Sequence, residues 1–360
     1  MNSPTDSSTA TSSSQPAPTG LRLLLTWIKW PVALFLIGWL SYQNRDQFER
    51  ILSGEQQIHW TCLLSAFVLC GSSIILTFFR WYLLVVALEF PFSFRDALRL
   101  GFLGYLFNYV APGAVGGDAI KAVMLASEQT SRRAVAVATI LLDRILGLQA
   151  LLMVGAGAVL FLTGEIQYRE KLELILWGGS AVGLFGLAVM LSPAAYSKPV
   201  MALTRIPKIG SIFADLLDGV AHYQSRRGVV VLTVLISVVG HFGVISSFYL
   251  CALAVSSVDA LPDYATHLFL IPVAEIIGVI VPLPGGVGAL EGAVQKSYQL
   301  AGANPQVGFL AAGAYRATTI VIAICGAGFY VMQKKRIASL LAGNSETGGG
   351  TRTANQMESG

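Results

Sequence analysis

The sequence predicts an all-α polytopic membrane protein, with about six full transmembrane helices plus two broken re-entrant hairpins arranged as inverted repeats. Three observations predict it. Apolar residues make up 54% of the 360 and charged residues 12%, against about 25% charge in a soluble domain. Several apolar runs exceed the roughly 18 residues that signal a membrane-spanning helix. Two apolar stretches are also broken by matching polar motifs, one from Asn108 through Pro112-Gly113 and Gly116-Gly117-Asp118 to Lys121, the other from Pro284-Gly285-Gly286 through Gly288 to Glu291. Pro112, Gly113, Val115 and Gly116 superpose on Pro284, Gly285, Val287 and Gly288 at one offset, 284 − 112 = 172, and the same offset carries Arg144 onto Arg316. Such internal duplication is common in transporter folds.

Residues 1–20 are rich in Ser, Thr and Pro and carry no base. They cannot bury a core and are expected to be disordered. The first span, about Leu23–Tyr42, follows Arg22 and lacks a small-residue cleavage pattern. It reads as an uncleaved helix with a cytoplasmic N-terminus. Trp60–Phe79 is the second span, closed by Arg80-Trp81-Tyr82, a set suited to a membrane interface where the base can snorkel. The apolar stretch to Leu88 extends that helix or lies along the surface.

Leu100–Leu125 is too short for two crossings and is broken at Pro112–Gly117, so a hairpin entering and leaving by one face is expected. Ser131 caps the next span, which runs to about Thr163, and Leu174–Leu191 crosses back. The connection 192–228 is basic, with Lys198, Arg205, Lys208, Arg226 and Arg227. Within it Ile209, Ile212, Phe213, Leu216, Leu217 and Val220 recur at helical spacing, as in an amphipathic helix on the cytoplasmic surface or a polar-faced linker helix. Val229–Val255 spans again and ends at a turn holding Asp259 and Asp263. Tyr264–Leu300 carries the second broken hairpin, with Pro272, Pro282 and Pro284. Val307–Met332 is the last span, followed by Lys334-Lys335-Arg336 and a tail, 337–360, expected to be disordered.

The membrane domain is thus 21–336, with repeat units at about 60–163 and 229–332. If the basic loop 192–228 and the Lys334–Arg336 cluster share the cytoplasmic face, one of the three blocks between them does not cross. The broken block 264–300 is the natural candidate. Both termini are then cytoplasmic, in the plasma (inner) membrane.

Charge and cysteine usage exclude other classes. The net charge of +4 is small and its bases sit at segment ends, a pattern of membrane orientation and not of nucleic-acid binding. Cys62, Cys70, Cys251 and Cys325 are scattered without a Cys/His cluster, so neither disulfides nor a zinc site is indicated. His241, in an apolar run, is read as a helix-packing histidine. No metal and no cofactor is expected.

The breaks are the candidate site. Irregular backbone at membrane depth persists only where protein or a polar cavity satisfies it, and the half-helices beginning after Gly117 and Gly288 would direct free N–H groups, which favour anions, toward one another. Buried charges sharpen this: Asp118 and Lys121 after the first break, Asp143-Arg144 and Arg316 at matching depth, Glu275 and Glu291 flanking the second break. An ionisable group at mid-membrane costs roughly 2.5–3.5 kcal/mol, so partners are required. These groups either pair only with each other, Asp118 or Glu291 with Arg144 or Arg316, or pair and also line an anion-binding cavity.

Asn108…Pro112-Gly113…Gly116-Gly117-Asp118, Leu142-Asp143-Arg144…Gly147-Leu148 and Pro282-Leu283-Pro284-Gly285-Gly286-Val287-Gly288…Glu291 together resemble the flippase-like membrane region of lysylphosphatidylglycerol synthases, which also occurs without the soluble synthase domain. The resemblance covers roughly 25–335 and implies movement of a phospholipid between leaflets. The 24 residues after Arg336 (360 − 336) are too few for an acyl-transferase domain, so aminoacyl transfer is not implied. Lys121 stands where that family often has arginine.

The expected function is therefore a lipid translocator and not an enzyme, acting on an anionic or glycosylated membrane lipid supplied by a separate lipid-synthesising enzyme. The absence of a G-x-x-x-x-G-K-[ST] loop argues against ATP as the direct driver. Two alternatives stand beside it. One is a membrane-embedded lipid-modifying enzyme, with Asp118, Asp143, Glu275 or Glu291 as acid, base or metal groups. The other is a non-catalytic scaffold for envelope lipid synthesis.

Overall fold

Helix formation follows the apolar runs, and the breaks follow the glycines and prolines. A computed structural model describes residues 20–46, 57–110, 116–128, 133–206, 210–256, 261–281 and 283–350, with Glu49 and Ser53. In chain order the helices are α1 (Gly20–Gln43), α2 (Trp60–Val86), α3 (Phe94–Val110), α4 (Gly116–Glu128), α5 (Arg133–Ala158), α6 (Arg169–Met190), α7 (Lys198–Leu203), α8 (Gly210–Ser225), α9 (Arg227–Val255), α10 (Tyr264–Ile280), α11 (Ala289–Leu300) and α12 (Pro305–Gly350). No strand occurs among the described residues. The long apolar helices α2, α5, α6, α9 and α12 are each sufficient to cross a membrane. Their outward faces stay apolar: Leu174, Val182 and Phe185 of α6 and Val231, Leu235 and Val239 of α9 are exposed. A lipid solvent accounts for such surfaces; water does not. The protein is a multi-pass, all-helical membrane protein.

The helices recur in matching order at a near-constant spacing. α2, α3, α4 and α5 correspond in order to α9, α10, α11 and α12. Helix starts within these pairs are separated by between 167 and 173 residues (227 − 60 = 167; 289 − 116 = 173). The paired long helices α2 and α9 run antiparallel. His59, before α2, donates its backbone N–H to Ala254 O near the end of α9 at 3.0 Å. At the other end Arg226, before α9, pairs with Glu89, after α2, at 2.6 Å.

In each broken pair the start of the first helix and the end of the second lie close together or meet the same loop. Arg99 in the first turns of α3 pairs with Glu128 at the end of α4, at 2.9 Å. Asp263, which caps α10, accepts a bond from Thr163 at 3.4 Å, and Leu300 at the end of α11 accepts one from Gln167 at 2.9 Å. Both ends of α10–α11 therefore meet the loop after α5. One apolar core surrounds each pair: Leu100, Leu103, Met124 and Leu146 lie in the first, Phe248, Phe269, Val294 and Tyr298 in the second.

Three expectations change. Of the two readings of the stretch to Leu88 the structure has the extended helix, α2 continuing to Val86, because the run holds no helix breaker; what changes is Arg80, which is thereby drawn into the protein and does not snorkel. The last helix continues past Arg336 to Gly350, where Ile337-Ala338-Ser339-Leu340-Leu341-Ala342 are tolerant of helix and no proline stops it. α8 does not merely lie on a surface: Val220 and Tyr223 are buried, and the Tyr223 hydroxyl donates to Leu84 O at 3.0 Å. The disorder expected for 1–19 and 351–360 falls outside the described residues.

Candidate functional site

The first polar cluster is built where α4 begins. Gly117 sits so close to α3 that a Cβ there would lie 1.9 Å from Gly104 O. Only glycine permits that approach. The contact brings the Gly117 N–H to Asn108 Oδ1 at 3.1 Å, satisfying one of the free donors of the helix start. Asp118, in the first turn, is 8% exposed. Its Oδ1 meets Lys121 Nζ at 2.8 Å, and its Oδ2 accepts a short hydrogen bond from Arg144 Nε. Lys121 also lies over the Trp81 ring, 5.2 Å from its centroid. Gly116 opens α4 and is partly buried. Pro112 and Gly113 lie outside the described residues.

The second cluster is built on a turn of left-handed glycines, each too close to a neighbour to take a Cβ without a shift. Pro284–Gly286 form a single 3₁₀ turn; Gly285, Gly286 and Gly288 have φ of 59°, 64° and 84°. The turn aims two carbonyls at Arg316, whose Nη1 donates to Gly285 O at 2.6 Å and Nη2 to Gly286 O at 3.3 Å. Arg316 Nε donates to Glu291 Oε1 at 2.6 Å. The other carboxylate oxygen accepts the Gly288 N–H at 2.7 Å, capping α11. Every nitrogen of this guanidinium is thus used by the protein.

The two clusters adjoin. A Cβ on Gly285 would lie 2.8 Å from the Tyr109 ring, and the Arg316 guanidinium carbon is 5.9 Å from the Tyr109 centroid. Neighbouring residues of α3 therefore serve different breaks, Asn108 the first and Tyr109 the second. The charged pairs form within each repeat.

The matched arginines differ. The Arg144 side chain is 45% exposed, the Arg316 side chain 12%. Beyond Nε, Arg144 makes no hydrogen bond among the described residues. Charge follows the same asymmetry. Lys121 and Arg144 against Asp118 leave one positive charge at the first cluster, whereas Arg316 and Glu291 cancel.

Two sequence candidates join neither cluster. Asp143 accepts from Arg80 Nε at 2.8 Å, and Arg80 also donates to Ser237 Oγ at 2.8 Å and to Asp143 O at 3.0 Å. This pair is sealed, with side chains 6% and 5% exposed. Glu275 faces His241, whose Nδ1 is 3.9 Å from Glu275 Oε2. Arg80, Tyr109, Ser237 and His241 complete the polar interior and were not among the site residues expected from sequence. Arg80 had a signal: a lone base within an apolar run that continues beyond it requires a buried acid.

The chain is similar to known proteins. Residues 21–326 match the family described as the lysylphosphatidylglycerol synthase TM region. A UPF0104 membrane protein of Methanothermobacter thermautotrophicus (strain Delta H) is 24% identical over 303 residues, spanning 78% of this chain and 84% of the relative. No solved structure matches. The family match runs through both polar breaks and both arginine clusters, and the chain belongs to the family of the lysylphosphatidylglycerol synthase transmembrane region.

Proposed function

We propose that the protein is a lipid translocator, not an enzyme, and that it passes the anionic headgroup of a phospholipid or lipid-linked sugar across the inner membrane through the polar junction of the two breaks. The observation that carries this is the unused half of Arg144. A guanidinium with Nη1 and Nη2 unengaged among the described residues, in a cluster with one positive charge in excess there, is a ready partner for a phosphate. Leaving that charge unmatched inside a membrane is costly, which favours a ligand as its counter-ion. The start of α4 adds a helix N-terminus to the same place.

The architecture supports the same reading. Six crossings, with α3–α4 and α10–α11 as re-entrant hairpins from opposite faces, would put two half-helix starts near a pseudo-two-fold axis, a common plan for alternating access. Both termini are then cytoplasmic, and a separate enzyme supplies the lipid.

The test uses purified full-length protein in phosphatidylethanolamine–phosphatidylglycerol vesicles carrying headgroup-labelled phosphatidylglycerol. Wild type is expected to accelerate exchange between leaflets, with Arg144→Gln much slower. Wild type that moves neither this probe nor a labelled lipid-linked sugar faster than empty vesicles would overturn the proposal.

A further inference from the structure

Among the described residues the pairing pattern leaves one partly buried acid without a cation. Asp118 has Lys121 and Arg144, Glu291 has Arg316, and Asp143 has Arg80. Glu275, on α10, faces only His241 of α9 at salt-bridge range. The state of that histidine follows from its other side. His241 Nε2 is 3.0 Å from Gly147 O, and a carbonyl can only accept, so Nε2 carries hydrogen. In the neutral ring Nδ1 is then a bare lone pair. It is buried, has no hydrogen-bond partner among the described residues, and lies 3.9 Å from Glu275 Oε2. An ionised Glu275 would set two acceptors against each other.

We infer that His241 and Glu275 together bind one exchangeable proton, and that this site couples proton passage to the rearrangement of α9 against α10. With the proton present the pair is neutral overall, as imidazole and carboxylic acid or as imidazolium and carboxylate. Without it the pair carries one negative charge. The groups facing it from neighbouring helices do not neutralise that charge. From α2 come Arg80, already paired with Asp143 of α5, and Cys70; from α12 comes Tyr315. Tyr223 of α8 faces Asp143 and donates to Leu84 O. The deprotonated pair therefore requires water, whereas the protonated pair tolerates a dry interior. A cavity of ≈ 30 Å³ lined by Thr77, Arg80, Ser237 and His241 adjoins the site, with room for a water to deliver or accept the proton. The proton enters from water on one face and leaves to water on the other; no other bond changes.

The proton site stands on this geometry alone, whereas its coupling role rests on the translocator reading. The first experiment is infrared difference spectroscopy of full-length protein in phosphatidylglycerol nanodiscs during a pH titration. Wild type is expected to show a carboxylic-acid carbonyl band that vanishes as pH rises. Glu275→Gln should lack it. His241→Gln, which retains a donor for Gly147 O, should move its midpoint by about one pH unit or more. Nitrogen NMR of labelled histidine in wild type, where no variant needs to fold, should report the Nε2–H tautomer for a neutral ring. The same band in Glu275→Gln, an unmoved midpoint in His241→Gln, or a neutral Nδ1–H tautomer would overturn the site.

The second experiment applies a pH difference across vesicles carrying labelled phosphatidylglycerol. Wild type should respond to it and Glu275→Gln should not. If the band titrates as expected but no lipid moves, the translocator reading fails and the proton site survives. If lipid moves but the band is unchanged in Glu275→Gln, the proton site fails and translocation survives.

Discussion

Arg144 and Arg316 occupy matching positions, yet their surroundings assign them different work. Arg316 is bound through all three nitrogens, and its partner Glu291 is 1% exposed. Arg316→Gln would leave that carboxylate buried without its cation, at a cost of about 3–5 kcal/mol. A large fall in thermal midpoint in detergent is expected, with loss of activity following the loss of fold. Arg144→Gln gives up a half-open side chain bonded, among the described residues, through Nε alone. Its thermal midpoint should stay near wild type while lipid movement falls about tenfold or more, the size of one lost charge-assisted contact. Arg80 and Asp143 supply a third case. Arg80→Gln and Asp143→Asn should each destabilise, whereas the double variant should recover much of the loss, because neutralising both sides leaves no orphan charge. Thermal midpoints around that cycle measure the coupling. The sequence offset located both matched arginines. It could not say which was free, because that depends on two carbonyls turned inward by Gly285 and Gly286, which spacing does not reveal.

At the scale of elements, the hairpins depend on a few contacts where backbone touches backbone. Gly117→Ala would drive a methyl group to 1.9 Å from Gly104 O. α3 and α4 would have to separate, disturbing the Asn108 bond and the Asp118 cluster together. Reduced stability and reduced lipid movement are both expected. Gly285→Ala is strained twice, by its φ of 59° and by Tyr109 at 2.8 Å from the added carbon, at a backbone cost of about 1–3 kcal/mol. The control is Gly186→Ala on α6, where nothing lies within 4 Å of an added Cβ. That change should leave the thermal midpoint unchanged or slightly raised. These elements were largely legible in advance. Apolar run length located the long helices, and Pro-Gly clusters located the breaks. The burial of Arg80 was not legible, because Arg80-Trp81-Tyr82 has the composition of an interface; that burial depends on Asp143 and Ser237, which are distant in sequence.

For the whole molecule, the relation between the halves governs what the site can do. α2 and α9 are equivalent by offset and antiparallel by contact, through His59 with Ala254 at one end and Glu89 with Arg226 at the other. Under the proposed translocator reading, the two halves would exchange conformations, so that the environment of one break becomes that of the other. The lone surplus charge at the first cluster is the departure from symmetry that would make the two directions unequal. This arrangement has a direct topological consequence. Glu89 and Arg226 share one face, and Thr163, Asp263 and the loop after Leu300 share another. After replacement of Cys62, Cys70, Cys251 and Cys325, single cysteines at Glu89 and Ser225 should react with a membrane-impermeant reagent only from the cytoplasmic side. Cysteines at Thr163 and Gly302 should react only from outside. Labelling of Thr163→Cys and Gly302→Cys from opposite faces would mean that α10–α11 crosses completely. The two half-helix starts would then not meet from opposite sides, and translocation through their junction would lose its structural basis.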